Sequence, residues 1–456
     1  MALQTARQRL RNEKFAKRNE KQMGKPKTKK RAKNVALPKW VIGTAVSRES
    51  VIGERTSRML SVFSGKAAIK ASMAAENIYR FPLKSDVNIT KTGKTKIAIG
   101  QGGRSSRTGY TVSVFGGSGF LGRIITSKLA KHGTLVVAPW RNSRSMRHLK
   151  VNGDLGVVNY HEWDLRNVRS IEESVAHADV VINLVGSELN TKNFSMADAN
   201  IEGSRRIAEA AKKYGVDRFI QVSSYNANPK SESEFFATKG VGEQVVKDIY
   251  PDATIVRPAP MYGRNSALLH ELVPLTKLGG NVLFRQEIYP THGRQVAEAL
   301  EKIVFDDSTL GKTYELYGPE RYSKRELREM IKYMTHIGMY GYFPAATGFS
   351  IPAPRSFMKV WCWLNEKFNP SMESVNMDTY RRSTIDQVID PSALTYEDLG
   401  MKADDLADWL YSYVKPYIIS PSQSLNRTVY GRDEVLKLRD YVNTPKNSFD
   451  FFDLKS

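Results

Sequence analysis

The chain is poor in metal- and disulfide-forming residues. A single cysteine, Cys362, excludes any internal disulfide and any iron–sulfur cluster held by four thiolates of this chain. The seven histidines fall in no HExxH arrangement and no CxxC pair accompanies them, so the sequence argues against a structural metal. No uninterrupted apolar run approaches the ~20 residues that a membrane-spanning helix needs. Acidic residues are scarce too. None occurs between Asp86 and Asp154.

What is present is a long chain of 456 residues, 41% hydrophobic, enough for two folded units and tails. Its formal charge of +22 is unevenly placed. Residues 1–110 carry 26 Lys and Arg against 6 Asp and Glu, which leaves +2 for residues 111–456. The basicity therefore belongs to a leader and the body is nearly neutral.

Residues 1–58 read as a basic, solvated leader. Its run "KPKTKKRAK" has no stacking aromatics beside it, so nucleic acid is not an expected partner. Residues 1–42 resemble the cytosolic part of the small stress-associated endoplasmic-reticulum (ribosome-associated) membrane proteins, with the start "RQR" and "NEK" and a Trp at position 40. The tail anchor of that family is missing here, and the expectation is a fused gene model with translation from Met59. From Met59, "MLSVFSGKAAIKASMAAENIYRF" carries Lys66, Lys70 and Arg80, with no acid before Glu76. That composition suits a mitochondrial transit peptide over 59–85, a plain linker being the alternative. Residues 86–110 form a lead-in arm.

After residue 110, short β-branched runs alternate with helical stretches. The runs are 111–115, 134–138, 156–160, 178–185, 217–223 and 253–258. Between them, 120–131 and 197–215 are amphipathic. This alternation predicts an α/β fold, a Rossmann-type doubly wound parallel sheet over 111–263. Residues 264–335 form a smaller C-terminal lobe and 336–456 an aromatic tail.

The stretch "TVSVFGGSGFLGR" ends the first strand and opens the first helix. Gly116 permits the turn, Gly119 admits a pyrophosphate, and Gly122 lets helix and strand pack closely, with Gly117, Ser118, Phe120 and Leu121 between them. An NAD site would place an acid at the end of the second strand. Here that strand ends "PWRNSRSMRHLK". Arg141, Arg144 and Arg147 suit a 2′-phosphate, so the expected cofactor is NADPH, with Arg141 as the clamp. A solvated basic loop is the other reading.

These motifs, with "EWDL", "NLVG", "NIEGSRRI" and "RPAPMYG", resemble the extended and atypical short-chain dehydrogenases/reductases. The resemblance implies that Asp164 and Leu165 flank the adenine. It further implies that Asn183, Leu184, Val185 and Gly186 line the nucleotide, that Asn200 lies behind the site, and that Pro258 lies at the nicotinamide end. Catalysis in that family uses a serine and a tyrosine four residues before a lysine. Here Ser223 or Ser224 supplies the serine and Lys239 the lysine, but the tyrosine position is Phe235, which has no proton to give. Ser223, Phe235 and Lys239 read as a vestigial triad in which Ser223 and Lys239 still bind cofactor.

A longer resemblance, over about 90–420, is to the NADPH-carrying, dehydrogenase-like accessory subunits of mitochondrial respiratory complex I. It rests on "GQGGRSS", on "VINLVGSELNTKNFSMADANIEGSRRIAEAAKKYGVDRFIQVSSYNAN", and on "DPSALTYEDLGMKADDLADWLYSYVKPY". It implies a non-catalytic subunit on the matrix side of the inner membrane, with other complex I subunits as partners. Two alternatives stay open: an NADP-dependent reductase or epimerase using Tyr225, Tyr262 or water as proton donor, and a free NADPH-sensing interaction protein.

In the tail, Phe357, Val360, Trp361, Leu364 and Phe368 recur at helical spacing with Arg355, Lys359 and Lys367 nearby. They face either the chain's own core or a partner subunit or lipid. Residues 404–416 predict a second helix, started by Asp404 and Asp405 and ended by Pro416. The last 40 residues show no sustained pattern and read as an extended arm.

Overall fold

A computed structural model describes residues 108–273, 283–335, 354–368, 376–417 and 430–444, together with the short strands at 88–89 and 95–96. The basic leader and the transit-like segment lie outside the described residues, as do most of the lead-in arm and residues 339–353 of the aromatic tail.

Seven strands build one parallel sheet. They are β1 (Thr111–Phe115), β2 (Leu135–Trp140), β3 (Val158–Glu162), β4 (Val180–Asn183), β5 (Arg218–Val222), β6 (Thr254–Pro258) and β7 (Thr313–Leu316). They lie in the order β7-β6-β5-β4-β1-β2-β3, every neighbouring pair parallel. The order reverses between β1 and β4, which is where a doubly wound sheet opens its ligand crevice. β1, β4 and β5 are buried along their whole length. Covered on both faces, β4 reads as a nearly continuous apolar run, Val180–Ile182 before Asn183, while β1 and β5 bury polar side chains as well.

Each face carries its own core. On one side, α1 (Phe120–Lys131) lies beside the helix Gly293–Phe305. The two run in the same direction, since Phe120 meets Gly293, Lys128 pairs with Glu298 at 3.1 Å, and His132 pairs with Glu301 at 3.2 Å. Leu121, Ile125 and Leu129 pack there with Val296, Leu300 and Ile303. On the other side, α2 (Val168–Val175) and α3 (Gly203–Lys213) bury Ile171, Val175, Ile207 and Ala211 against Phe115, Val181 and Phe219.

The amphipathic stretch expected over 197–215 begins as a π-turn, Asp198–Glu202, before the α-helix starts at Gly203. The neighbouring helix α4 (Glu234–Ile249) comes so close that a Cβ at Gly242 would lie 2.6 Å from the Asn200 carbonyl. The wider turn and the glycine together let the two backbones meet.

A third cluster joins the smaller lobe to the tail. Leu268, Leu269, Phe284, Leu327, Met330 and Met334 pack with Leu406, Leu410 and Val414. The expected tail helix is Leu406–Val414, capped by the Asp405 carboxylate, which accepts from the Ala407 N–H at 3.2 Å. The last 40 residues hold a helix that periodicity did not reveal, Arg432–Asn443. It buries only Val435 and Leu438, too few apolar positions to show above its charged residues. The helix Arg355–Phe368 buries Met358 and Cys362, whereas Phe357, Val360, Trp361, Leu364 and Phe368 stand exposed. The chain's own described core does not cover that stripe. Among the described residues no helix is long and apolar enough to cross a membrane.

Candidate functional site

The glycine-rich turn is built so that backbone is its working surface. Gly116 adopts φ +81°, which a side chain resists, and a Cβ there would press on Leu184 at 3.1–3.2 Å. At Gly122 a Cβ would sit 2.3 Å from the Gly116 carbonyl and 2.7 Å from Gly117 Cα, so only glycine fits. The Gly119 N–H closes the turn onto the Gly116 carbonyl at 3.0 Å. The first helical bond is then the Arg123 N–H to the Gly119 carbonyl at 3.1 Å. Among the described residues the N–H groups of Phe120, Leu121 and Gly122 meet no acceptor and are the free donors of a helix start, with no acid in that turn to compete for them. Ser118 is half-buried and Gly119 stands exposed at the turn's tip, while Leu121 points into the core. Phe120 lies against Gly263 and Gly293, with the Arg123 guanidinium 5.7 Å from its ring centre.

Arg141, Arg144 and Arg147 all lie exposed beyond the end of β2, where a one-turn helix starts at Ser143. Among the described residues their guanidinium groups meet neither a carboxylate nor a carbonyl. Three unpaired cations at the second strand's end suit a phosphate dianion.

The opposite wall comes from β4 and the loop after it. The Asn183 side chain is wholly buried, donating to Gln221 Oε1 at 2.8 Å and accepting from the Val185 N–H at 3.0 Å. It thus shapes the loop Leu184–Gly186 from behind. Asn200 does the same one step further on, accepting from the Ser187 N–H at 3.0 Å and donating to the Ser187 carbonyl at 3.1 Å. Asp164 Oδ1 caps its own turn by accepting from the Arg166 N–H at 2.8 Å. Leu165 packs its side chain on Gly203. Pro258 ends β6 opposite Leu316.

Lys239 reaches this loop from α4. Its ammonium lies 3.5 Å from the Val185 carbonyl, and a Cβ at Gly186 would come within 2.5 Å of it. Burial pulls the Lys239 pKa down to about 8, against the pull of Glu188 and Glu243. Ser223 is buried at the end of β5, and its Oγ meets no hydrogen-bond partner among the described residues. A buried hydroxyl without a partner and an ammonium with one long contact are the groups a nicotinamide ribose would satisfy. The residues present therefore fit a dinucleotide with a 2′-phosphate.

Phe235 lies one helical turn before Lys239, and over its ring sits a group that sequence reading missed. The Arg382 guanidinium carbon is 4.9 Å from the ring centre. Arg382 is held by Glu188 at 3.0 Å and by Asp378 at 3.1 Å. Asp378 in turn starts α4, accepting from Ser233 Oγ at 2.9 Å and from the Glu234 N–H at 2.8 Å. No spacing rule connects positions 144 or more residues apart. The only hint was a pair of arginines inside "MDTYRRST".

The two tyrosines considered as replacement acids are otherwise engaged. Tyr225 packs edge-on against Phe236 and accepts from Gln286 Nε2 at 3.4 Å, and burial raises its pKa. Tyr262 is stacked on His292, its ring centre 5.1 Å away, and burial raises its pKa strongly. A phenol that relays a proton during hydride transfer needs the opposite shift.

The profile of the NAD dependent epimerase/dehydratase family matches residues 112–276. The NADH-ubiquinone oxidoreductase 40 kDa subunit, mitochondrial, of Neurospora crassa is 47% identical over 340 residues, covering 73% of this chain and 86% of that protein. NADH dehydrogenase [ubiquinone] 1 alpha subcomplex subunit 9, mitochondrial, of Arabidopsis thaliana is 37% identical over 331 residues, covering 70% and 80%. Its mouse counterpart is 35% identical over 321 residues, covering 68% and 81%. Among solved structures, a triphenylmethane reductase of Citrobacter sp. aligns with TM-score 0.50 at 14% identity, over 68% of this chain and all of the other. That likeness concerns the fold alone.

Proposed function

We propose a function from one premise: this chain belongs to the family of the mitochondrial NADH–ubiquinone oxidoreductase subunits named 40 kDa subunit or alpha subcomplex subunit 9. In this reading it is an accessory subunit of respiratory complex I that holds NADPH as a structural ligand and does not turn it over. The relatives' names support the assembly and the mitochondrial address. Attachment from the matrix side is part of the same proposal.

The observation that carries the non-catalytic part is Phe235. The position one turn before Lys239 has a phenyl ring, sealed under Arg382. NADPH, as against NADH, is supported by three arginines at the end of β2, where an NAD site would carry an acid. When bound, NADPH would supply charge and surface that knit the turn, the loop 183–186 and α4 together. The free N–H groups of Phe120–Gly122 would take the pyrophosphate, Arg141 and Arg144 the 2′-phosphate, and Lys239 and Ser223 the nicotinamide ribose. A ligand held at 100 times its dissociation constant adds about 2.7 kcal/mol to folding, so retention matters without chemistry.

Peripheral contact with inner-membrane lipid is supported by the exposed face of Arg355–Phe368. Trp361 is 40% exposed and Phe368 75%, and Arg355, Lys359 and Lys367 lie on the same helix. Such a helix suits the lipid interface lying flat.

The test is steady-state assay of the purified chain with NADPH and a panel of small carbonyls and nucleotide sugars. Binding without oxidation supports the reading; sustained oxidation refutes it.

A further inference from the structure

We propose that residues 376–390 form a strap that closes the substrate end of the cleft and retards escape of the cofactor, with Arg382 as its latch. The inference rests on the reading of the cleft as an NADPH site.

The segment crosses the carboxyl ends of the strands, the edge at which sheets of this class bind their ligands. It is fastened on both sides. Toward the sheet, the Val388 N–H donates to Asn226 Oδ1 at 2.9 Å, just beyond β5, and Asp390 pairs with Arg257 of β6 at 3.3 Å. Toward the smaller lobe, Gln286 Nε2 donates to the Ile385 carbonyl at 2.8 Å, and the Gln387 N–H donates to the Glu287 carbonyl at 3.0 Å. Ile385 packs into the small apolar cluster of Met196, Phe235 and Phe236. A substrate approaching Phe235 would meet this segment first.

The latch reaches the cofactor loop directly. Glu188, which pairs with Arg382, follows by two residues the glycine that faces the Lys239 ammonium. Glu188 also bears electrostatically on Lys239 itself. Arg382 therefore holds one carboxylate from the cofactor loop and one, Asp378, from the strap's own helix. Lifting the strap would separate Arg382 from Glu188 and uncover the loop that borders the nicotinamide end. Loss of the guanidinium leaves both carboxylates without their cation, and strap and loop then repel.

The experiment uses the full chain loaded with NADPH and follows its fluorescence after mixing with a large excess of NADP⁺. R382A is expected to release NADPH at least ten-fold faster than the unaltered chain, with R382K in between. An unchanged release rate in R382A overturns the strap. As a second arm, hydrogen exchange of the Met377–Thr384 amides is measured in the unaltered chain with and without saturating NADPH. A strap whose closure strengthens cofactor binding is in turn held closed by the cofactor, because the coupling of binding free energies is reciprocal. Equal exchange in both states overturns the proposal even where R382A fails to fold. If the unaltered chain takes up no NADPH at all, the functional reading falls, and the strap with it.

Discussion

The Arg382 guanidinium carbon lies 4.9 Å from the centre of the Phe235 ring, the ring that stands where a dehydrogenase of this fold would carry its tyrosine. Restoring the hydroxyl is therefore not enough to restore chemistry. Phe235→Tyr is expected to show no NADPH oxidation above background with small carbonyls, because its ring is 8% exposed and lies under a fixed cation. Turnover in that single variant would show that the cleft admits substrate.

Gly122 and Gly119 separate packing from binding. A methyl at Gly122 would meet Gly116 and Gly117 backbone at 2.3–2.8 Å, contacts that cannot relax by rotating a side chain. Gly122→Ala is expected to lower stability by about 1–3 kcal/mol and to abolish nucleotide retention. At Gly119 the nearest atom is 3.3 Å away. Gly119→Ala should melt close to the unaltered chain while losing most of its affinity for NADPH. Thermal melts paired with NADPH titrations check both.

The arginines after β2 bear on cofactor choice. Arg141→Asp is expected to weaken NADPH binding about 10- to 150-fold, the worth of a charge-assisted hydrogen bond of about 1.5–3 kcal/mol, while NADH affinity stays nearly unchanged. Equal losses for the two nucleotides would place the 2′-phosphate elsewhere.

How much of this was legible beforehand differs by element. The strands, the glycine turn and the arginines follow from local rules: β-branched runs mark buried parallel strands, and Gly116–Gly122 carry a spacing fixed by backbone approach. Phe235 was legible because Lys239 marks its helical turn. The contacts of Arg382 with Phe235 and Glu188, and of Asp378 with Ser233, are not, since they depend on how the tail folds back across the sheet, which no periodicity encodes. The stripe Phe357–Phe368 shows in the sequence as helical spacing, but periodicity alone does not say what covers a face. The helix Arg432–Asn443 was missed because two buried residues do not make a visible stripe.

Lys239 gives the cofactor-free chain a pH signature. Burial lowers its pKa from the ordinary 10.5 to about 8. Between those values the unfolded chain binds the extra proton, so this residue makes stability rise with pH through that window. Below pH 8 the folded chain carries the full cost, on the order of 3 kcal/mol. Lys239→Met should therefore be the more stable protein at pH 7 without nucleotide, and its advantage should shrink as pH rises from 8 to above 10. Denaturant melts across that range test the sign.

The exposed helix face makes a separate claim. Trp361→Glu combined with Leu364→Glu is expected to abolish sedimentation with anionic phospholipid vesicles and to leave NADPH binding unchanged. Retained vesicle binding would assign the face to a partner subunit instead.

The central claim, a complex I subunit that keeps NADPH without spending its hydride, is tested most directly by extracting nucleotide from NADH–ubiquinone oxidoreductase purified through an affinity tag on this chain. The extraction is made after the enzyme has turned over NADH and quinone. The account predicts one NADPH per copy of the chain, still reduced. A tagged chain that comes away without the respiratory complex, or one that yields NADP⁺, NAD⁺ or no nucleotide, would contradict it.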